Sequence, residues 1–341
     1  MIRLHLIPES PADGPPWACA EIRLLRPYGH ASLARHLTLT SGRGLPSGRV
    51  DAVVMQRGGP VGADLRDIVS LVAEIKARKA RLIYDLDDDL LAEHPSLPVE
   101  RVLSNMRPKV RFLLREADMV TVSTDVLAAR LKARIPNVHV WKNALDEALV
   151  PEWPKERRGA DIGYFGTNSH LQDLMEVVGE LSIAASKQPQ RPSLELCGIS
   201  DDPRIGGLFG RSVDVSVRPT QGHYAQFHRM LAHQACWAVG LAPLLPGPFN
   251  DAKSDIKALD YAAAGIPVIV SDVTPYASLV AAGAVLCAPL DRFGEATFDL
   301  LNDEAGRARL TAAAHHHLME RRVLAVCAPD LFSLLGQALD S

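Results

Sequence analysis

Residues 237–272 constrain the fold of this chain more than any other stretch. An apolar run, WAVGLAPL (237–244), has the length and composition of a buried strand. A loop rich in Pro and Gly, LPGPFN, leads to Asn250, Asp251 and Ser254, any of which can cap a helix. Ile256, Leu259 and Ala263 then recur at helical spacing, Gly265 ends the helix, and Pro267 opens a second strand, PVIVSD. Strand, loop, helix and strand in this order give two parallel strands joined by a right-handed crossover. The alternation runs through the chain. Segments 2–7, 50–55, 80–84, 117–123 and 138–141 read as strands in the first half, and 161–166, 194–199 and 213–217 in the second. Helical patterns lie between them, at 18–37 with Glu21, Arg23, Arg26 and Arg35 on the polar side, and at 68–77. The class expected is α/β, with two doubly wound domains facing a cleft.

A length of 341 residues gives each domain enough chain for its own core. Pro151, Trp153, Pro154 and the charged KERRG at 155–159 mark a linker. The expected division is 1–152, 160–310 and a helical tail, 311–341, that returns toward the first domain. Lys plus Arg number 37 against 40 Asp plus Glu, a net charge of −3, which excludes a strong field for nucleic acid. Cys19, Cys197, Cys236, Cys287 and Cys327 are scattered without a CxxC pair, so buried thiols in a reducing compartment are expected. The amino terminus lacks a basic region followed by an apolar one, and no run of about 18 apolar residues occurs, so a cytoplasmic protein is expected.

On the helix after the loop, Lys253, Lys257 and Asp260 fall at i, i+4 and i+7 and share one face. Lys253 lies at its amino end, where free N–H groups and the helix dipole favour an anion. A diphosphate there would meet N–H donors, the Ser254 hydroxyl and one or two ammonium groups. Asp260 could accept hydrogen bonds from a sugar's paired hydroxyls. The same spacing also suits a solvated, charged helix face.

The strand at 80–84 runs into Asp85-Leu86-Asp87-Asp88-Asp89. Four carboxylates in five residues repel one another, so the cluster requires cationic partners or a function. An acceptor or catalytic site, an Asp-x-Asp metal site of GT-A type, and the nucleophile loop of a haloacid-dehalogenase-like phosphatase all fit YDLDDDL in part. The first is favoured. Residues 101–115 mix Arg101, Arg107, Lys109, Arg111 and Arg115 with Val102, Leu103, Met106, Val110 and Leu113, around Pro108. Such a helix can associate weakly with an anionic membrane surface, meet an anionic acceptor, or supply arginines that neutralise the aspartates. The last is favoured.

The 250–267 segment resembles the nucleotide-binding segment of GT-B fold glycosyltransferases, especially family 4 and its relatives. That family carries two glutamates separated by seven residues and then a small-residue run ending in Gly-x-Pro. Asp260 stands at the second glutamate, residues 262–267 match the run, and Ala252 replaces the first glutamate. The pair Lys253-Ser254 fits an F-N-x-x-K-S-x-x-K pattern of some relatives, which includes Asn250 and Lys257. Residues 117–146 resemble the usual closing of the first GT-B domain, with Lys142 replacing a proline. The resemblance implies the GT-B fold and transfer of a sugar from a nucleotide diphosphate-sugar to a saccharide, lipid-linked or protein acceptor in bacterial surface-glycan assembly. It implies no cofactor and no metal. It further implies that Asp260 holds the ribose, that the loop before it and Gly166-Thr167 approach the phosphates, that Arg218 lies where relatives cover the base, and that Asp87 or Asp88 handles the acceptor hydroxyl. Alternatives sharing the fold are a sugar-nucleotide 2-epimerase and a non-catalytic nucleotide-binding homologue.

Overall fold

The computed structural model describes residues 1–93, 100–152, 159–200, 202–219 and 222–340. Residues 153–158 of the expected linker lie outside them. The chain forms two compact units. The first comprises Met1–Asp146, Ala252–Ser254 and Arg322–Ser341, and the second Glu147–Asp251 and Asp255–Arg321.

The first unit carries six strands: β1 (Ile2–Ile7), β2 (Leu37–Ser41), β3 (Ala52–Gln56), β4 (Arg81–Leu86), β5 (Met119–Val122) and β6 (Val138–Val140). They lie in the order β2-β1-β3-β4-β5-β6, every neighbouring pair parallel. The central strands are buried on both faces, as a parallel sheet covered by helices requires. Their side chains alternate between two cores. Val53, Met55, Leu82 and Tyr84 pack with Ile68, Val72, Val110 and Leu127 on one face. Ala52, Val54 and Ile83 pack on the other with Leu324, Ala328, Leu331 and Leu335 from the helix Leu324–Asp340. Of the expected tail, residues up to Arg321 belong to the second unit and this helix to the first.

In the second unit β7 (Ile162–Phe165), β8 (Ser193–Cys197), β9 (Asp214–Arg218), β10 (Val239–Ala242), β11 (Val268–Ser271) and β12 (Leu286–Ala288) form a second parallel sheet. Its order, β12-β11-β10-β7-β8-β9, is that of a doubly wound dinucleotide-binding sheet. The winding reverses between β7 and β10 in this sheet, and between β1 and β3 in the other. Ligands of such sheets bind outside the carboxyl ends of the strands at these reversals.

The strand–loop–helix–strand unit read at 237–272 is present as β10, the helix Ile256–Ala263 and β11. Gly265 ends the helix in the left-handed region at φ 65°, and the amides of Gly265 and Ile266 reach back to the carbonyls of Ala262 and Tyr261 at 3.0 and 2.9 Å. Two expectations are corrected and one alternative reading is dropped. The helix begins only at Ile256, so Lys253 and Ser254 precede it. Its polar face is not solvated, since Lys257 and Asp260 are 9% and 4% exposed. The helical reading of 18–37 is interrupted and ends early: helical turns run from Ala18 to Gly29 and, after His30, from Ala31 to Leu33, and Leu37 opens β2. Cys197 and Cys236 are buried, whereas Cys19, Cys287 and Cys327 are partly exposed, and all five are free thiols. Among the described residues no helix is long and apolar enough to cross a membrane.

Candidate functional site

At the carboxyl edge of the first sheet, the charge problem posed by residues 85–89 is solved by arginines from three different elements. Asp85 points inward from β4 and receives Arg23 Nη2 at 2.6 Å and Nε at 3.1 Å, the two side chains being 4% and 1% exposed. Arg23 therefore does not lie on a polar helix face as its spacing suggested. Asp87 and Asp88 share Arg57, which follows β3, and Asp89 accepts from Arg130 at 2.8 Å. Of the arginines expected to neutralise the cluster, Arg107 and Arg115 pair elsewhere. Arg107 holds Glu100 at 2.6 Å and Arg115 holds Glu116 at 2.8 Å.

Arg57 sits at the reversal between β1 and β3. It has a left-handed φ of 48°, uncommon for a residue with a Cβ, and its Nη1 also lies 3.3 Å from Glu9, just after β1. Asp87 receives Arg57 through both oxygens and is 12% exposed; Asp88 uses one oxygen, Oδ2 at 2.8 Å, and is 27% exposed. Burial, and then the neighbouring Asp87, push the Asp88 carboxyl above the usual range, opposed by Arg57 and Lys253. Burial likewise raises Glu9. Lys253 is part of this unit because residues 252–254 are pinned to it at both ends. Ala252 is fully buried in the core and its carbonyl accepts from Thr124 Oγ1 at 2.9 Å, while Ser254 Oγ accepts from Asn143 Nδ2 at 2.8 Å.

At the carboxyl edge of the second sheet, Gly166 follows β7 at the reversal. A Cβ there would lie 3.2 Å from His170 Cβ and 3.5 Å from Lys257 Nζ, so glycine keeps the backbone open beside the ammonium. Lys257 Nζ donates to Tyr164 Oη at 3.3 Å and lies 4.5 and 5.6 Å from the ring centres of Tyr164 and Phe165, whose faces favour a cation. One turn on, Asp260 Oδ1 accepts from Tyr224 Oη at 2.5 Å, with His228 Nε2 3.1 Å away. Asn250 Nδ2 donates to the Leu245 carbonyl at 3.0 Å and to Asp173 Oδ1 at 3.2 Å, which shapes the loop after β10. The other Asp173 oxygen lies 3.2 Å from His170 Nδ1. Thr167 is exposed and shares a 2.8 Å hydroxyl contact with Ser169. Arg218 stands apart at the end of β9, two strands from the reversal, where it grips Glu195 Oε1 at 2.8 Å while Trp237 Nε1 holds Oε2 at 2.8 Å.

The second unit thus brings together Gly166, Lys257, Asp260 and Asn250, and leaves Arg218 aside; the first brings together Asp87, Asp88, Lys253 and Ser254. Sequence reading missed Arg57, Asp173 and Glu195. A lone arginine after a strand carries no spacing signal, and an aspartate within a helix reads as surface.

The sequence matches no protein-family profile, and no curated protein is similar to it in sequence. Solved structures are similar in fold. S. aureus TarM superposes with a TM-score of 0.58 at 10% identity over 83% of this chain, which spans only 54% of TarM. Sucrose-phosphate synthase from Thermosynechococcus elongatus gives 0.66 at 16% identity, over 99% of both chains. Anabaena HepE in complex with UDP-glucose gives 0.66 at 14% identity, over 99% of this chain and 100% of that one. The fold class is thereby borne out: α/β, GT-B, with two Rossmann-like domains.

Proposed function

We propose that this chain is a glycosyltransferase that moves a sugar from a nucleotide diphosphate-sugar to an acceptor hydroxyl in bacterial surface-glycan assembly. The observation that carries this reading is the Lys257 ammonium beside Gly166, at the strand reversal where a doubly wound sheet takes its ligand. Structures of the same fold support it, since HepE was solved with UDP-glucose and TarM with UDP and α-GlcNAc-glycerol.

In this reading Asp260 faces the ribose, steadied by Tyr224, and Lys257, Lys253 and Ser254 meet the diphosphate. When the bond from the anomeric carbon to the diphosphate oxygen breaks, its electron pair goes to the diphosphate, and these groups stabilise the charge that develops there. The acceptor is a saccharide hydroxyl, whose oxygen forms the new bond to the anomeric carbon as its proton passes to Asp88. Geometry favours Asp88 over Asp87 as the base. Both Asp87 oxygens are committed to Arg57, whereas Asp88 keeps Oδ1 clear of that guanidinium and is the more exposed. A carboxylate with a raised pKa is also the better proton acceptor at neutral pH. The role of Asp87 is then to hold Arg57 and, through it, Asp88. No cofactor or metal takes part in this scheme, so transfer is expected to persist in EDTA.

The test is a thermal-shift screen of the full chain against UDP-, GDP-, ADP- and dTDP-sugars, followed by transfer assays with saccharide acceptors. Stabilisation by one donor family and acceptor-dependent release of its nucleotide are expected, UDP-sugars first. Stabilisation by none of them would overturn the proposal, and so would turnover to an isomerised donor with no acceptor present.

A further inference from the structure

We infer that Asn143 is a positioning residue that sets the polarity of the Ser254 hydroxyl, making it a hydrogen-bond donor toward the diphosphate. The inference rests on the proposed function and on that assignment of Ser254.

Arg23 is a guanidinium 1% exposed and capable only of donating. Its Nε and Nη2 are taken by Asp85, which also accepts from Thr121 Oγ1 at 2.8 Å. Its Nη1 donates to the Trp141 carbonyl at 2.6 Å and to Asn143 Oδ1 at 3.0 Å. A side-chain amide has one accepting end and one donating end. Because the end facing Arg23 must be the oxygen, the end facing Ser254 must be the NH₂ group, and the 2.8 Å contact to Ser254 Oγ is donated by Asn143. Flipping the amide would set two donors against each other at Arg23. The Asn143 backbone is held as well, its carbonyl accepting from Arg322 Nε and Nη2 at 3.1 and 2.8 Å.

The consequence falls on the hydroxyl. With an acceptor site of Ser254 Oγ filled from the buried side, its proton is turned away from Asn143, and the structure shows no acceptor for it among the described residues. A serine prepared in this way suits an anionic oxygen. Lys253 lies between two pinned neighbours, Ala252 through its carbonyl and Ser254 through its side chain, so the same contacts fix the backbone that carries the ammonium. A buried guanidinium thereby sets, through Asn143, the direction in which the Ser254 hydroxyl donates.

Isosteric replacement provides the test, with UDP as the probe in calorimetry and the nucleotide of the best donor from the screen if that is not UDP. Asn143→Asp keeps shape and keeps an acceptor for Arg23, but presents only acceptors to Ser254, so the hydroxyl proton turns inward. Asn143→Ala removes the donor without reversing it. Affinity is expected to fall about tenfold or more in Asn143→Asp and in Ser254→Ala, and less in Asn143→Ala. Adding Ser254→Ala to Asn143→Asp should cost nothing further. A merely structural role predicts the opposite ranking, because alanine leaves Arg23 without its acceptor while aspartate does not. Ser254→Thr, which retains a hydroxyl, should bind within about threefold of the unmodified chain, and this comparison holds even if the Asn143 variants fold poorly. Unchanged affinity in Ser254→Ala, additive losses in the double variant, or alanine worse than aspartate at position 143 would overturn the inference alone. Failure of the unmodified chain to bind any nucleoside diphosphate would overturn it together with the proposed function.

Discussion

The carboxyl edges of the two sheets handle charge in opposite ways. In the first unit every aspartate from Asp85 to Asp89 meets a guanidinium, and one of these, Arg57, is shared among Glu9, Asp87 and Asp88. In the second unit the cation at the reversal, Lys257, rests on the rings of Tyr164 and Phe165 beside a glycine. The first edge thus gathers carboxylates around shared guanidinium groups, and the second holds an ammonium over ring faces with open backbone beside it. The difference divides the chemistry. An edge crowded with carboxylates suits removal of a proton from a hydroxyl, and an edge with a glycine beside an ammonium suits a phosphate.

The largest effect expected from breaking this contrast is on catalysis. Asp88→Asn should lower transfer by about 10²–10⁴-fold while leaving nucleotide affinity nearly intact, as measured by steady-state assays beside calorimetry. Equal loss in both would move Asp88 out of the acceptor's role. The pH profile sharpens the same point. The Asp88 carboxyl is raised by burial, and its charged form is the active one, so activity should fall on the acid side at a pH above that of an ordinary carboxylate. In the Asp88→Asn variant that limb should vanish from the residual rate.

Next in size is stability. Asp85→Ala leaves Arg23 buried without its carboxylate and should cost about 3–5 kcal/mol in chemical denaturation. The edge that carries Lys257 comes after it. Lys257→Met keeps the aliphatic stem on the rings and removes the charge, so nucleoside diphosphate affinity should drop about 10- to 100-fold with little change in melting temperature. Smallest is Arg218→Ala. Its guanidinium is taken up by Glu195 two strands from the reversal, and affinity should change by less than about threefold. A larger loss there would place the nucleotide farther along the sheet than β7.

The alternation of strands and helices was legible because each element carries its own signal: apolar runs such as VIVS at 268–271, the stop at Gly265, the cap at Thr124. β2 escaped because Leu33 and Leu37 continue the helical spacing that precedes them. Partners distant in sequence were illegible. Arg23 meets Asp85 across 62 positions and Lys257 meets Tyr164 across 93, so nothing local to either cation shows that it faces inward. The need of residues 85–89 for cations was readable from repulsion alone, but the nearby arginines of 101–115 drew the assignment away from Arg57. The glycine-and-lysine pattern of 250–267 could be read as nucleotide-binding by resemblance, while the attachment of residues 252–254 to the first unit depends on Thr124 and Asn143 and follows from no periodicity.

That attachment, with the helix Leu324–Asp340, makes the first unit discontinuous. A fragment cut after Asp146 would lack the helix that covers one face of its sheet and would present Leu4, Leu6 and Val54 to water. During synthesis, residues 1–146 must therefore remain unfinished until those from 322 onward have left the ribosome. Dissecting this protein into halves at the obvious seam is therefore a poor route to either one.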